Sequence, residues 1–161
     1  MKDIKSTFLE KLHECNQHKN RLLTAKEKLK IFMPLTTQSF SALNDENVSF
    51  IDQMIFRFSK LQDTMGDKVF PSILMLSGEE IKNKTFIDRL NRLEELGLVR
   101  KDEWMQLRKD RNEIAHEYSF NQDEVVDSIN LIYSLVGKII DIYDGMYRYS
   151  LKKFDLRISN H

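Results

Sequence analysis

A chain of 161 residues, 41% apolar and 31% charged, has enough material to bury roughly 70% of its unfolded surface as one domain, and is too apolar for a disordered chain. Five glycines and two prolines are too few for the turns of an all-β fold. Lysine plus arginine balance aspartate plus glutamate at 25 each, so bulk charge predicts no polyanion partner, and no run of about 18 apolar residues exists to cross a membrane.

Long stretches of Leu, Lys, Glu, Ile and Asp between sparse breakers predict an all-α fold. The single cysteine, Cys15, forms no intrachain disulfide and suits a reducing cytoplasm. The N-terminal M-K-D-I-K-S-T-F lacks the apolar core of a signal peptide, so a cytoplasmic protein is expected. The ends are locally basic: residues 1–30 carry eight Lys/Arg against four Asp/Glu, and residues 148–161 carry four against one. Should the ends meet, they would form a modest basic flank; each alone reads as a solvated helical face.

In chain order, Phe8, Leu12, Cys15, Leu22 and Leu29 fall on 3-4 spacing and predict a long helix over 3–33, ended by Pro34. Residues 36–44 are rich in Ser and Thr and read as a loop or short turn. Asp45 is the expected N-cap of a second long helix built on Val48, Ile51, Ile55, Phe58, Met65 and Val69, weakened or kinked by Gly66 and Pro71. Ser77-Gly78 breaks the chain. Thr85 caps a short third helix, with Asp88 completing a capping box and Gly97 closing it. Asp102 is the expected cap of a fourth helix, and the last runs from about Asp123 towards Tyr149 on Val125, Ile129, Ile132, Val136, Ile139 and Tyr143. The expectation is one domain over 1–161, an up-and-down bundle of four main helices plus one short helix.

One stretch departs from the pattern. In L-R-K-D-R-N-E-I-A-H-E-Y, residues 107–118, Trp104, Leu107, Arg111, Ile114 and Tyr118 follow a 3-4-3-4 stripe with an arginine at its centre. An unpaired guanidinium in an apolar seam costs several kcal/mol, so Arg111 must find a carboxylate, line a cleft or face a partner subunit. At about 100° per residue, His116 lies about 140° from Arg111 and about 40° from Asn112, while Tyr118 returns to within about 20° of Arg111. Two columns result, Arg111 with Tyr118 and Asn112 with His116. Bringing His116 to Arg111 needs a distorted helix end or a second copy of the motif.

The run Arg111 to Tyr118, R-N-E-I-A-H-E-Y, resembles the R-x4-H-x-Y motif of the HEPN superfamily, in its HepT-like toxin branch. L-E-E-L-G-L-V at 93–99 and W-x2-L-R at 104–108 are similar to that branch as well. The resemblance implies a HEPN-like bundle and a metal-independent endoribonuclease toxin, without cofactor, working as a homodimer within a toxin–antitoxin module. It assigns Arg111 and His116 as the catalytic pair, Asn112 as a supporting or phosphate-binding residue, and Tyr118 as the position where a cognate nucleotidyltransferase antitoxin attaches AMP. The chemistry suits the residues: an imidazole titrating near neutrality moves the 2′-hydroxyl proton, and a guanidinium fork matches phosphate oxygens. A cyclic 2′,3′-phosphate is the expected product. Neutral net charge fits a selective enzyme acting on a structured RNA or tRNA.

Two other readings use the same residues. One is a non-catalytic substrate-binding or regulatory subunit of a nucleotidyltransferase, with the motif used for docking; the other is a purely structural helical dimer. His13, Cys15 and His18 are not expected to bind metal, since His13 and Cys15 point about 200° apart on one helix. No Gly-rich phosphate loop, paired-carboxylate motif or nucleophile elbow appears, so ATP use by this chain itself is not expected.

Overall fold

In the computed structural model, which describes residues 3–114 and 120–156, helix α1 (Ile4–Leu29) starts where the Asp3 side chain accepts the Ser6 backbone N–H at 2.7 Å. Its inward stripe is Phe8, Leu12, Cys15, Leu22, Ala25 and Leu29, all fully buried, with His18 completing the spacing. Each such leucine or phenylalanine contributes about 1.5–3 kcal/mol through removal from water. The helix ends four residues earlier than the proline implied, because its last turn tightens into a 3-10 turn at Lys30–Phe32.

The Ser/Thr-rich segment is not a bare loop. Thr36 and Ser39 form a reciprocal capping box that starts a short helix, α2 (Thr37–Ser41). Helix α3 (Asp45–Thr64) is capped by Asn44 rather than by Asp45, the Asn44 side chain accepting the Asn47 N–H at 2.9 Å. Asp45 and Glu46 instead occupy the first turn, where the helix dipole favours negative charge.

No break follows α3. A π-helical turn, Met65–Val69, carries the chain straight into α4 (Phe70–Leu76). Pro71 has no N–H to return to residue 67 and its ring would crowd that carbonyl, so the i→i−4 ladder gives way just ahead of it. The Phe70 N–H bonds the Met65 carbonyl, five residues back.

Helix α5 (Phe86–Glu95) has both halves of the capping box at Thr85 and Asp88. It closes on Gly97 at φ +75°, with Gly97 N–H to the Glu94 carbonyl at 2.9 Å and Leu98 N–H to the Leu93 carbonyl at 3.0 Å. Helix α6 (Lys101–Glu113) does not use Asp102 as its cap; Arg100 holds that position without a side-chain bond. The carboxylate of Glu94, brought round by the Gly97 turn, accepts the Lys101 N–H at 2.7 Å in its place. Helix α7 (Gln122–Lys153) is capped by Asn121 and continues four residues beyond Tyr149.

These helices make an all-α protein with no strand among the described residues. Helix α1 packs most extensively along α3, and α7 contacts α3, α6 and α1. Phe70, Phe86 and Trp104 join α4, α5 and α6, with Phe70 and Trp104 ring centroids 4.6 Å apart. On α7 the buried stripe is Val126, Ile129, Ile132, Val136, Ile139 and Tyr143; Val125, expected inside, is half-buried and faces a cleft instead. Buried Tyr143 donates to Asn16 Oδ1 at 2.6 Å, tying α7 to α1. Among the described residues α1 and the stretch after α7 meet, Phe154 packing edge-on against Phe8, and Lys5, Lys152 and Lys153 are exposed.

Candidate functional site

The stripe of α6 is as apolar as its spacing requires, with Trp104 and Leu107 each 1% exposed and Ile114 buried. Arg111 lies on that stripe where it opens to solvent, its side chain 36% exposed. Its Nη2 donates to Asp63 Oδ2 on α3 at 3.0 Å. Two of the three outcomes open to this guanidinium therefore hold together, a carboxylate partner and a cleft. The Asp63 side chain is itself 43% exposed, so water screens the pair and its net contribution is about 0–1 kcal/mol. Such a pair orients Arg111 while leaving it cheap to detach.

The cleft is a cavity of about 650 Å³ between α3, α6 and α7, walled by Ile51, Ile55, Phe56, Ile114 and Ile129. Its polar groups include Lys60, Asp63 and Arg111, with the Lys60 ammonium 5.7 Å from the Phe56 ring centre. A smaller cavity of about 280 Å³ borders the same ion pair and is lined by Gln62, Gly66, Trp104, Arg108 and Asn112. Asp63 and Arg111 belong to both walls, so the pair separates the two spaces. Asn112 is exposed and joins Arg111 at the smaller cavity. His116 and Tyr118 lie outside the described residues. The arrangement presents two cations, Lys60 and Arg111, and two carboxylates, Asp52 and Asp63, in an open groove whose remaining lining is mainly apolar.

His18 is buried on the α1 stripe, its Nδ1 3.0 Å from Arg57 Nη1. Arg57 only donates, so Nδ1 accepts and the ring is neutral in this contact. Burial first, then the Arg57 charge, hold the imidazole below its ordinary value, against the pull of Glu14. That is packing chemistry rather than acid–base work at neutral pH. His13 is exposed and Cys15 fully buried, so they do not converge, and burial pushes the Cys15 thiol up to about 12. It stays protonated and unreactive. Among the described residues no group of His, Cys, Asp and Glu is placed to hold a metal ion.

Polar residues of these walls that the sequence reading did not single out include Asp52, Lys60, Gln62 and Asp63. Only Gln62 left a usable trace there. It stands four residues after Phe58 and three before Met65, on the apolar stripe of α3, and is 3% exposed. Among the described residues no helix is long and apolar enough to cross a membrane. Comparison of the chain with protein-family models, with curated proteins and with solved structures finds no match.

Proposed function

We propose that this chain is a HEPN-like bundle of four main helices and a HepT-like endoribonuclease, cutting RNA without a metal ion or other cofactor. The observation that supports this best is Arg111, set on a buried stripe yet opening into a cleft, paired among the described residues with a screened carboxylate from which it can detach. A phosphodiester entering the cleft competes with Asp63 for the guanidinium, offering two oxygens to its fork. Lys60 adds a second positive charge beside it.

His116, the imidazole of the R-x4-H-x-Y motif, takes the 2′-hydroxyl proton while the 2′-oxygen attacks phosphorus. Arg111 stabilises the charge that builds on the non-bridging oxygens. As the P–O5′ bond breaks, a second imidazole, from another copy of the chain, protonates the 5′-oxygen. The products are a 2′,3′-cyclic phosphate and a 5′-hydroxyl. The homodimer is thus part of the chemistry, and the setting is the cytoplasm beside a cognate nucleotidyltransferase antitoxin. AMP placed on Tyr118 sets a bulky anion on the arginine column and blocks the phosphate site.

The test is cleavage of a structured RNA such as tRNA in the presence of a chelator. The parent is expected to release cyclic-phosphate ends, while Arg111→Ala and His116→Ala, still helical by circular dichroism, do not. Equal rates in all three remove the proposal. The apolar walls of the cleft, Ile51, Ile55 and Phe56 among them, favour a second reading, a non-catalytic subunit whose groove receives the nucleotidyltransferase. An equimolar complex with that enzyme and no ribonuclease activity, free or bound, selects it. The mass of the co-expressed chain reports whether Tyr118 carries AMP.

A further inference from the structure

The smaller cavity holds polar groups that the fold leaves unpartnered. Gln62 is 3% exposed, and neither its amide nitrogen nor its amide oxygen has a hydrogen-bond partner. Trp104 is 1% exposed, and its indole N–H has none either. Nearly all buried polar atoms in proteins are paired, so two orphaned side chains on one small cavity call for a physical reason. The local backbone supplies part of it. Gln62 stands just ahead of the π turn Met65–Val69, a distortion that recurs at functional sites.

Gly66, inside that turn, keeps the space beside the rings open. A Cβ there would lie 3.4 Å from Trp104 Cζ2 and 3.8 Å from Phe86 Cε2. Around this floor stand the Arg108 guanidinium, 4.6 Å from the centre of the Phe86 ring, and Arg111.

We infer that this cavity is a nucleobase subsite, resting on the ribonuclease reading for the strand that supplies the base. The chemistry selects the ligand class. An apolar aromatic floor takes a flat ring. An amide with one free donor side and one free acceptor, plus an N–H donor, matches a heterocycle edge that offers acceptors and a donor together. Arg108 and Arg111 at its rim take the phosphate attached to that ring. Because Arg111 also lines the larger cleft, a base splayed out of a single strand into the small cavity sets its own phosphate beside the proposed catalytic arginine.

Trp104 is the chain's single tryptophan, so its fluorescence reports directly on the cavity. Titrations use the four nucleoside 3′-monophosphates and a 2′-deoxy-blocked RNA oligonucleotide, intact or with one abasic position. A saturable change in emission is expected, at least tenfold weaker in Gln62→Leu and in Gly66→Ala. Gln62→Leu removes the orphaned amide, so its melting temperature is expected to stay level or rise while binding falls, which a merely structural Gln62 would not do. Gly66→Ala fills the space without burying a polar group and keeps the test open should Gln62→Leu misfold.

Mononucleotides binding as tightly as the oligonucleotide identify a free nucleotide as the source; intact oligonucleotide binding with abasic binding lost identifies the strand. Either supports the subsite. No saturable signal from any probe, or unchanged binding in both variants, overturns it. Saturable binding without RNA cleavage by any preparation keeps the subsite and removes the ribonuclease reading. Cleavage at equal rates by parent, Gln62→Leu and Gly66→Ala, with no fluorescence response, does the reverse.

Discussion

Replacing Asp63 with asparagine separates a structural strut from a poised active-site arginine. At 3.0 Å, the Coulomb attraction between Asp63 and Arg111 is about 1.4 kcal/mol under full water screening. Both side chains are more than a third exposed, so solvent and lost side-chain entropy reduce the net value to about 0–1 kcal/mol. Asp63→Asn should therefore lower the melting temperature by no more than about 4 °C. RNA binding should move the other way. The substitution removes a carboxylate that competes for the guanidinium and repels phosphate, and recovering about 1 kcal/mol tightens binding by about fivefold. Thermal melting and fluorescence anisotropy with a 2′-deoxy-blocked oligonucleotide measure the two effects. A melting temperature lowered by more than about 8 °C, or weaker RNA binding, would show that the pair holds the helices together and that Arg111 is not free to leave it.

In the proposed ribonuclease, Arg111→Ala would remove the principal donor to the developing phosphorane and should slow cleavage by about 10²–10³, while melting stays within about 4 °C of the parent. His18 sets a pH dependence, its neutral ring facing Arg57, Lys60 and Glu14. Its folded pKa lies below the unfolded value of about 6.5, so the unfolded chain takes up the proton first as pH falls. The contribution to stability is full above about pH 6.5 and is lost on acidification through the folded value. Melting temperatures between pH 7.5 and 5.5 should fall more steeply for the parent than for His18→Gln; parallel slopes would refute the assignment. Thr85→Ala removes half of the capping box of α5 and should cost about 1 kcal/mol, read as a lower midpoint in urea with an unchanged slope.

The helical class and most of the core were legible because a 3-4 apolar period survives along α1, α3, α6 and α7. What escaped depended on atoms distant in sequence. The cap of α6 is Glu94, reached only because Gly97 turns the chain back. The disturbance expected at Gly66 and Pro71 takes the form of a π turn through which the chain continues into α4, a geometry that no local pattern distinguishes from a kink. The α7 stripe differs from the expectation only at its first position, where Val126 is buried and Val125 lines the cleft.

Polar residues interrupt the apolar stripes at several points, among them His18 on α1, Gln62 on α3, Arg111 on α6 and Ser150 on α7. The first three differ in the partners they meet. His18 is met by Arg57, 39 residues away, in a buried contact that leaves it neutral and structural. Arg111 is met by Asp63, 48 residues away, in a contact that water weakens. The Gln62 amide has no hydrogen-bond partner among the described residues. The cost of leaving a buried amide unpaired is about 1–3 kcal/mol, and that of detaching Arg111 is about 0–1, so the two sites differ in what they can give a ligand. Binding at Arg111 trades one charge partner for another at little cost. Binding at Gln62 would satisfy groups that the folded chain leaves unsatisfied, so a base edge gains more there than the contact alone provides. Adjacent residues 62 and 63 thus place both properties on one turn of α3, so that in the proposed subsite the exchangeable partner for phosphate would stand beside the unsatisfied one for a base.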